Sequence, residues 1–189
     1  MKTVVVYAHP YEKSFNHGVL ESIKTGLGEN NEEFEVFDLA KDGFNPVMTS
    51  KDLSGYNKGH TDDELIIRYQ KEIIKADKMI FVFPIWWGGM PAILKGFFDK
   101  VFLKGFCYEV KNGRVVGLLD HIKKTYVLTT SGRNNDTLIN KWGDPIGTTL
   151  IQSTFKVVAL NNYEWVNFDS ISKSTEEERK NHLERVKEI

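Results

Sequence analysis

Cysteine is nearly missing from the 189 residues: Cys107 stands alone, so no intrachain disulfide can form, a cysteine-built metal site is not expected, and the thiol reads as a small buried hydrophobe. No apolar run approaches the roughly 18 residues of a membrane span. Met1-Lys2-Thr3 leads directly into a strand-like segment without the apolar stretch and cleavage site of an export signal, so a cytoplasmic protein without membrane insertion is expected. Charge of one sign is lacking as well. With 25 Lys and Arg against 26 Asp and Glu, interspersed along the chain, the formal net charge is −1, which removes the electrostatic case for nucleic acid or a membrane surface. The glycines of a GxGxxG fingerprint or a Walker loop are absent, as are repeats and low-complexity linkers. What remains is 41% hydrophobic and 12% aromatic, enough for one well-buried core, so residues 1–189 are expected to form one domain with small-molecule partners.

Strand and helix signals alternate, the pattern of a parallel sheet covered by helices on both faces. Val4–Tyr7 is the first strand; Phe15 to Leu27 is a helix by the spacing of Val19, Ile23 and Leu27, capped by Ser14 and ended by Gly28. Phe34 to Leu39 alternates apolar and acidic residues, as an edge strand does, and residues 40–61 read as a long loop. A helix over Asp62–Ala76 leads to the continuous apolar strand Met79–Phe83, stopped by Pro84; Pro91 opens the helix Ala92–Phe102, which carries a wide apolar face. Asn112-Gly113 makes Tyr108–Val116 a hairpin. Lys124–Thr130 is the fourth main strand, Asp136–Ser153 a helix and Phe155–Leu160 the fifth strand, while Thr175 and Glu178 cap a last helix running to about Glu188. Five such strands fit the flavodoxin-like order 2-1-3-4-5.

Three loops at the carboxyl ends of strands carry chemistry. Ala8 to His17 opens the first helix, whose N-terminus is a ready phosphate site with His9, Lys13, Ser14 and Asn16 as added donors. Between Pro84 and Pro91, Trp86 and Trp87 offer flat faces, and Gly88 and Gly89 allow close approach of a planar ring. Thr129-Thr130-Ser131-Gly132 can present backbone N–H groups to a ring's polar edge. Each loop has a bland reading, as an N-cap, a pair of core tryptophans or an ordinary turn. Together they fit a phosphate-bearing planar heterocycle, with flavin mononucleotide the natural candidate.

The same residues resemble a family. His9 with Ser14-Phe15-Asn16, Gly43 to Val47, Phe83 to Phe102 and Thr129 to Gly132 look like the NAD(P)H:quinone oxidoreductases of the flavodoxin-like fold. The resemblance runs over nearly the whole chain. It implies a homodimeric enzyme with FMN or FAD, NAD(P)H as hydride donor and a quinone-like acceptor, working by two-electron ping-pong transfer through flavin N5. FMN is favoured by a chain without a C-terminal extension. Carried over by position, His9, Ser14, Phe15 and Asn16 hold the phosphate, Pro84, Ile85, Trp86, Trp87 and Gly88 the ring face, and Thr129, Thr130, Ser131 and Gly132 the ring edge. Two departures stand out. Ser131 takes the place of a glycine, and Arg133 to Asp144 contains neither the Tyr nor the His of mammalian-type members, so no acid–base relay is assigned and the acceptor is open. The rival reading is an electron carrier or a regulatory subunit of a glutathione-gated potassium efflux system.

Overall fold

The computed structural model describes residues 1–189. Five parallel strands, β1 (Lys2–Tyr7), β2 (Glu33–Asp38), β3 (Lys78–Pro84), β6 (Lys124–Thr130) and β7 (Tyr163–Phe168), lie in the order β2-β1-β3-β6-β7, with the antiparallel hairpin β4 (Tyr108–Lys111) and β5 (Arg114–Gly117) outside the sheet. Taken along the chain, the main strands follow 2-1-3-4-5, the order expected from the sequence.

Alternation along the central strands builds two cores. Val4 and Val6 of β1, Phe81 and Phe83 of β3 and Val127 of β6 face one side. There they meet α3 (Glu64–Ile74), α4 (Ala92–Val101) and the helical segment Ile146–Phe155. Val5, Tyr7, Ile80, Val82 and Leu128 face the other side, under α1 (Phe15–Glu29) and α5 (Glu176–Lys187). Val19, Leu20, Ile23 and Leu27 anchor α1 there; each contributes about 1.5–3 kcal/mol of burial. The wide apolar face of α4 is consumed internally, since Leu94, Phe97, Phe98 and Val101 are all buried. Cys107 is buried too, and desolvation pushes its thiol up to about 12, far from reactive.

Several boundaries differ from the sequence reading. Residues 40–61 are not all loop: Thr49 and Asp52 form a capping box that starts α2 (Ser50–Tyr56). Gly28 lies inside α1, which ends at Glu29, and the left-handed residue beyond it is Asn31. Pro84 is the last strand residue, opposite Thr130, because only its N–H is missing; Pro91 is the residue before α4 rather than its first. The expected helix over 136–153 is broken at Trp142–Pro145 into two π-helical segments, Thr137–Lys141 and Ile146–Phe155. Within the second, the hydroxyls of Thr148 and Thr154 donate to the carbonyls of Asp144 and Thr149 at 2.7 and 3.2 Å, competing with the regular backbone ladder.

The fifth strand is the largest correction. Phe155–Leu160 is the end of a helix and its exit turn, and the strand is Tyr163–Phe168. The apolar run exists because Phe155, Val158 and Leu160 plug the core below the helix, with Phe155 against Phe81 at 5.3 Å. Tyr163 to Phe168 escapes notice because an edge strand mixes Glu164 and Asn167 with aromatics.

Candidate active site

The carboxyl ends of β1, β3 and β6 bring the three sequence loops to one edge of the sheet. Beyond β1, Ser14 caps α1 in extended conformation, its hydroxyl accepting from the His17 amide at 3.1 Å. The His17 and Gly18 amides also donate to the Ser14 carbonyl, at 3.1 and 3.3 Å, which leaves the amides of Phe15 and Asn16 without an intrahelical acceptor. His9 Nδ1 accepts from the Tyr11 amide at 3.1 Å, so the proton of the neutral ring sits on Nε2, and burial holds its pKa below the usual value. The His9 ring meets Trp86 edge-on at 5.6 Å, linking the first loop to the second. Phe15 packs on Phe168 at 5.1 Å and on His182 of α5 at 5.9 Å.

Asn16 is 4% exposed, and its Nδ2 donates to Thr130 Oγ1 at 2.8 Å while Oδ1 has no partner. An amide reads nearly the same when turned over, so one polar end of a buried side chain, oxygen or NH2, is left unused at the first turn of α1. Such an orphan costs about 1–3 kcal/mol unless a ligand satisfies it.

Beyond β3, the Trp86 amide donates to the Gly89 carbonyl at 2.9 Å and the Gly89 amide returns the bond to Trp86 at 3.0 Å. Trp87 and Gly88 therefore occupy a tight turn with φ of 51° and 77°. Left-handed backbone is ordinary for glycine and costs about 1–3 kcal/mol for other residues. Trp87 is also fully exposed, and Trp86 is 46% exposed, so neither is a core residue.

Beyond β6, side chains alternate. Thr130 turns toward Asn16; Thr129 and Ser131 turn toward β7. Thr129 Oγ1 donates to Asn167 Oδ1 at 2.8 Å and accepts from Trp165 Nε1 at 2.9 Å. Asn167 Nδ2 donates to Ser131 Oγ at 3.0 Å and to Asn135 Oδ1 at 2.8 Å, and Ser131 Oγ donates to the Arg133 carbonyl at 2.6 Å. The hydroxyl of Thr129 is thus spent inside the fold. Ser131, where the resemblance implied a glycine, is seated without strain, since neither it nor Gly132 has a positive φ.

A cavity of about 490 Å³ opens between these turns. Of the residues singled out from the sequence, Ile85, Trp87, Gly88, Ser131 and Gly132 line it. His9, Ser14, Phe15 and Asn16 stand on the neighbouring first loop, and buried Pro84, Thr129 and Thr130 lie behind the wall. Arg133, Leu138 and Trp142 also line the cavity and were not singled out; a tryptophan followed by Gly143 and Pro145 is the one sequence signal that pointed there. No group of three or more His, Cys, Asp or Glu side chains comes together as a metal site would require.

The cradle fits a phosphate-bearing planar ring: free helix amides and an orphaned buried amide at one end, exposed indole and glycine in the middle, polar backbone at the far side. An open parallel sheet of this order, with its crevice beyond the carboxyl ends of the strands, defines a doubly wound α/β protein of flavodoxin-like class. The family model of the flavodoxin-like fold matches residues 1–189, and the chain belongs to that family. It is 32% identical over 189 residues to an uncharacterised NAD(P)H oxidoreductase of Haemophilus influenzae, covering 97% of this chain and 91% of that protein. It is 31% identical over 147 residues to NAD(P)H dehydrogenase (quinone) 1 of Cavia porcellus, covering 69% of this chain and 54% of that one, so the chain spans about half the length of this relative. Among solved structures, an NAD(P)H:quinone oxidoreductase from Methanothermobacter marburgensis superposes with a TM-score of 0.85 at 25% identity, over 99% of this chain and 94% of that one.

Proposed function

We propose that the chain is an NAD(P)H oxidoreductase acting on quinone-type acceptors through a bound flavin, FMN by preference. The carrying observation is Trp87, a whole indole held in solvent on strained backbone at the mouth of an apolar cavity. When bound, the flavin supplies the two-electron chemistry that amino-acid side chains lack. This chain's residues supply binding, orientation and electrostatics. The first-turn amides of α1 and the Nε2–H of His9 are donors for phosphate oxygens, with Ser14, Phe15 and Asn16 completing that end. A neutral His9 adds a donor without needing a proton from solvent at pH 7. Ile85, Trp87 and Gly88, with Trp86 beside them against His9 and Pro84 seating the turn, offer the surface against which ring and substrate would stack. Thr129, Thr130, Ser131 and Gly132 form the polar edge; the Thr129 hydroxyl and the Ser131 amide are engaged with β7, which leaves the Gly132 amide as the donor there. A backbone N–H fixed in place stabilises negative charge with no reorganisation during turnover.

One open cavity serves donor and acceptor in this reading, so each leaves before the other enters. Turnover is expected to be ping-pong, with parallel double-reciprocal lines and mutual competition at high concentration. The purified protein is expected to be yellow, with one flavin per chain identified by mass after extraction. A colourless protein that takes up neither FMN nor FAD overturns the reading; intersecting lines overturn the shared cavity alone. A second copy of the chain is proposed to complete the assembly. Its support is an apolar groove of about 450 Å³ bordered by Met90, Phe98, Phe102, Tyr108, Val157 and Val158, beside the exposed valines of the β4–β5 hairpin.

A further inference from the structure

The cavity beside Trp87 contains one cation whose charge nothing in the fold neutralises. Arg133 is held by its backbone: its carbonyl accepts from the Ser131 hydroxyl at 2.6 Å and from the Ser170 amide at 3.3 Å. Its guanidinium makes no ion pair and covers no aromatic ring. The surrounding carboxylates are engaged elsewhere. Asp136 pairs with Lys141 at 3.5 Å and accepts from Asn140 at 3.0 Å; Asp144 accepts from the Gly147 amide at 3.0 Å; Asp169 accepts from the Asn135 amide at 2.8 Å. The loop is built so that its acids stabilise backbone and lysine, and its arginine is left over.

The walls beside that charge are flat and apolar. Trp142 packs beside the indole turn, its nearest ring carbons 3.6 and 3.8 Å from where a Cβ would stand on Gly88, so that turn and the end of the π-helical segment Thr137–Lys141 meet there. Trp87 and half-exposed Trp142 both line the cavity, which makes it a slot with two indoles. A guanidinium is a weakly hydrated planar donor that matches the oxygens of carboxylate, sulfonate and phosphate two at a time.

From this juxtaposition we propose that Arg133 is a specificity-determining residue, and that the slot selects planar-ring substrates bearing an anionic group over uncharged rings. The inference rests on the oxidoreductase reading and names the substrate class of its site. The anion can belong to either reactant: the pyrophosphate of the nicotinamide nucleotide, or a carboxylate or sulfonate on the acceptor.

The test compares the flavin-loaded wild type with Arg133→Gln and Arg133→Lys. One arm measures kcat/KM for naphthoquinone sulfonate against naphthoquinone with the donor fixed; the other measures NADH against the phosphate-free N-benzyl dihydronicotinamide with the acceptor fixed. In Arg133→Gln the preference for the anionic partner is expected to fall about tenfold, the equivalent of about 1.4 kcal/mol, in at least one arm. The arm that falls identifies the source, and Arg133→Lys is expected to recover part of the loss. A fall of less than threefold in both arms overturns the proposal. Calorimetric titration with naphthalene sulfonate, which cannot be reduced, separates this proposal from the one beneath it. Binding weakened about tenfold by Arg133→Gln, in a protein that oxidises no nicotinamide nucleotide, overturns the oxidoreductase reading and retains the selective slot. Turnover with unchanged preferences overturns the slot alone.

Discussion

Trp87 spends backbone energy to keep an indole out of the core, which is the reverse of what a stabilising tryptophan does. Trp87→Ala is therefore expected to weaken flavin binding by the roughly 0.5–1.5 kcal/mol of a lost stacking face, on the order of tenfold at most, while leaving the melting temperature of the apo protein unchanged. Flavin titration and a thermal melt on the same sample check both halves; a collapse of the melt without loss of affinity would reverse the assignment. In the sequence the pair Trp86-Trp87 could be core or platform, because the side-chain direction in a turn depends on φ, which composition does not report. Ser14 was legible, since a hydroxyl before an apolar periodic run has few other uses, and its bond to the His17 amide is in place. Asn167 was not: it touches Thr129, Ser131 and Asn135 only because β6 and β7 are neighbours.

Helix α5 is attached to the site through His182, which is 6% exposed and stacks on Phe168 at 4.6 Å beside Phe15. Burial, with a smaller push from Arg185, lowers its pKa from 6.5 to about 4. Above pH 6.5 the ring is neutral folded and unfolded. Between pH 6.5 and 4 the unfolded chain binds a proton that the folded chain refuses, so stability is lost as pH falls through that window, by up to about 3 kcal/mol. Urea melts at pH 7 and pH 4.5 are expected to show this loss, and His182→Leu to remove most of it; equal slopes in the two proteins would place the acid sensitivity elsewhere. The helix itself was legible from Thr175 and Glu178, whose capping box is formed. The helix expected over 136–153 was legible in type but not in form, because hydroxyl competition for carbonyls leaves no mark on hydrophobic periodicity. Phe155–Leu160 misled for a related reason: six residues apolar but for Lys156 fit a buried strand and the plug below a helix equally well.

Across the whole molecule, alternating strand and helix signals matched to the flavodoxin-like order led to the observed strand order, although the fifth strand starts at Tyr163, eight residues later than expected. An apolar groove beside an exposed hairpin predicts a dimer, and sedimentation at micromolar concentration and physiological salt is expected to give about twice the 21.7 kDa chain mass; a monomer under those conditions would refute it. The sheet order also has a consequence in time. Thr129 and Ser131 find their partner Asn167 on the last strand, 38 and 36 residues later in the chain. A ribosome adding about 5–20 residues per second needs on the order of 2–8 seconds to cover that interval. Until β7 emerges, the edge of β6 and the buried hydroxyls beneath the cavity stay open to water and to other chains. The nascent protein can thus form its first three main strands and the loop after β1 early, yet the pocket becomes rigid only once β7 has been made.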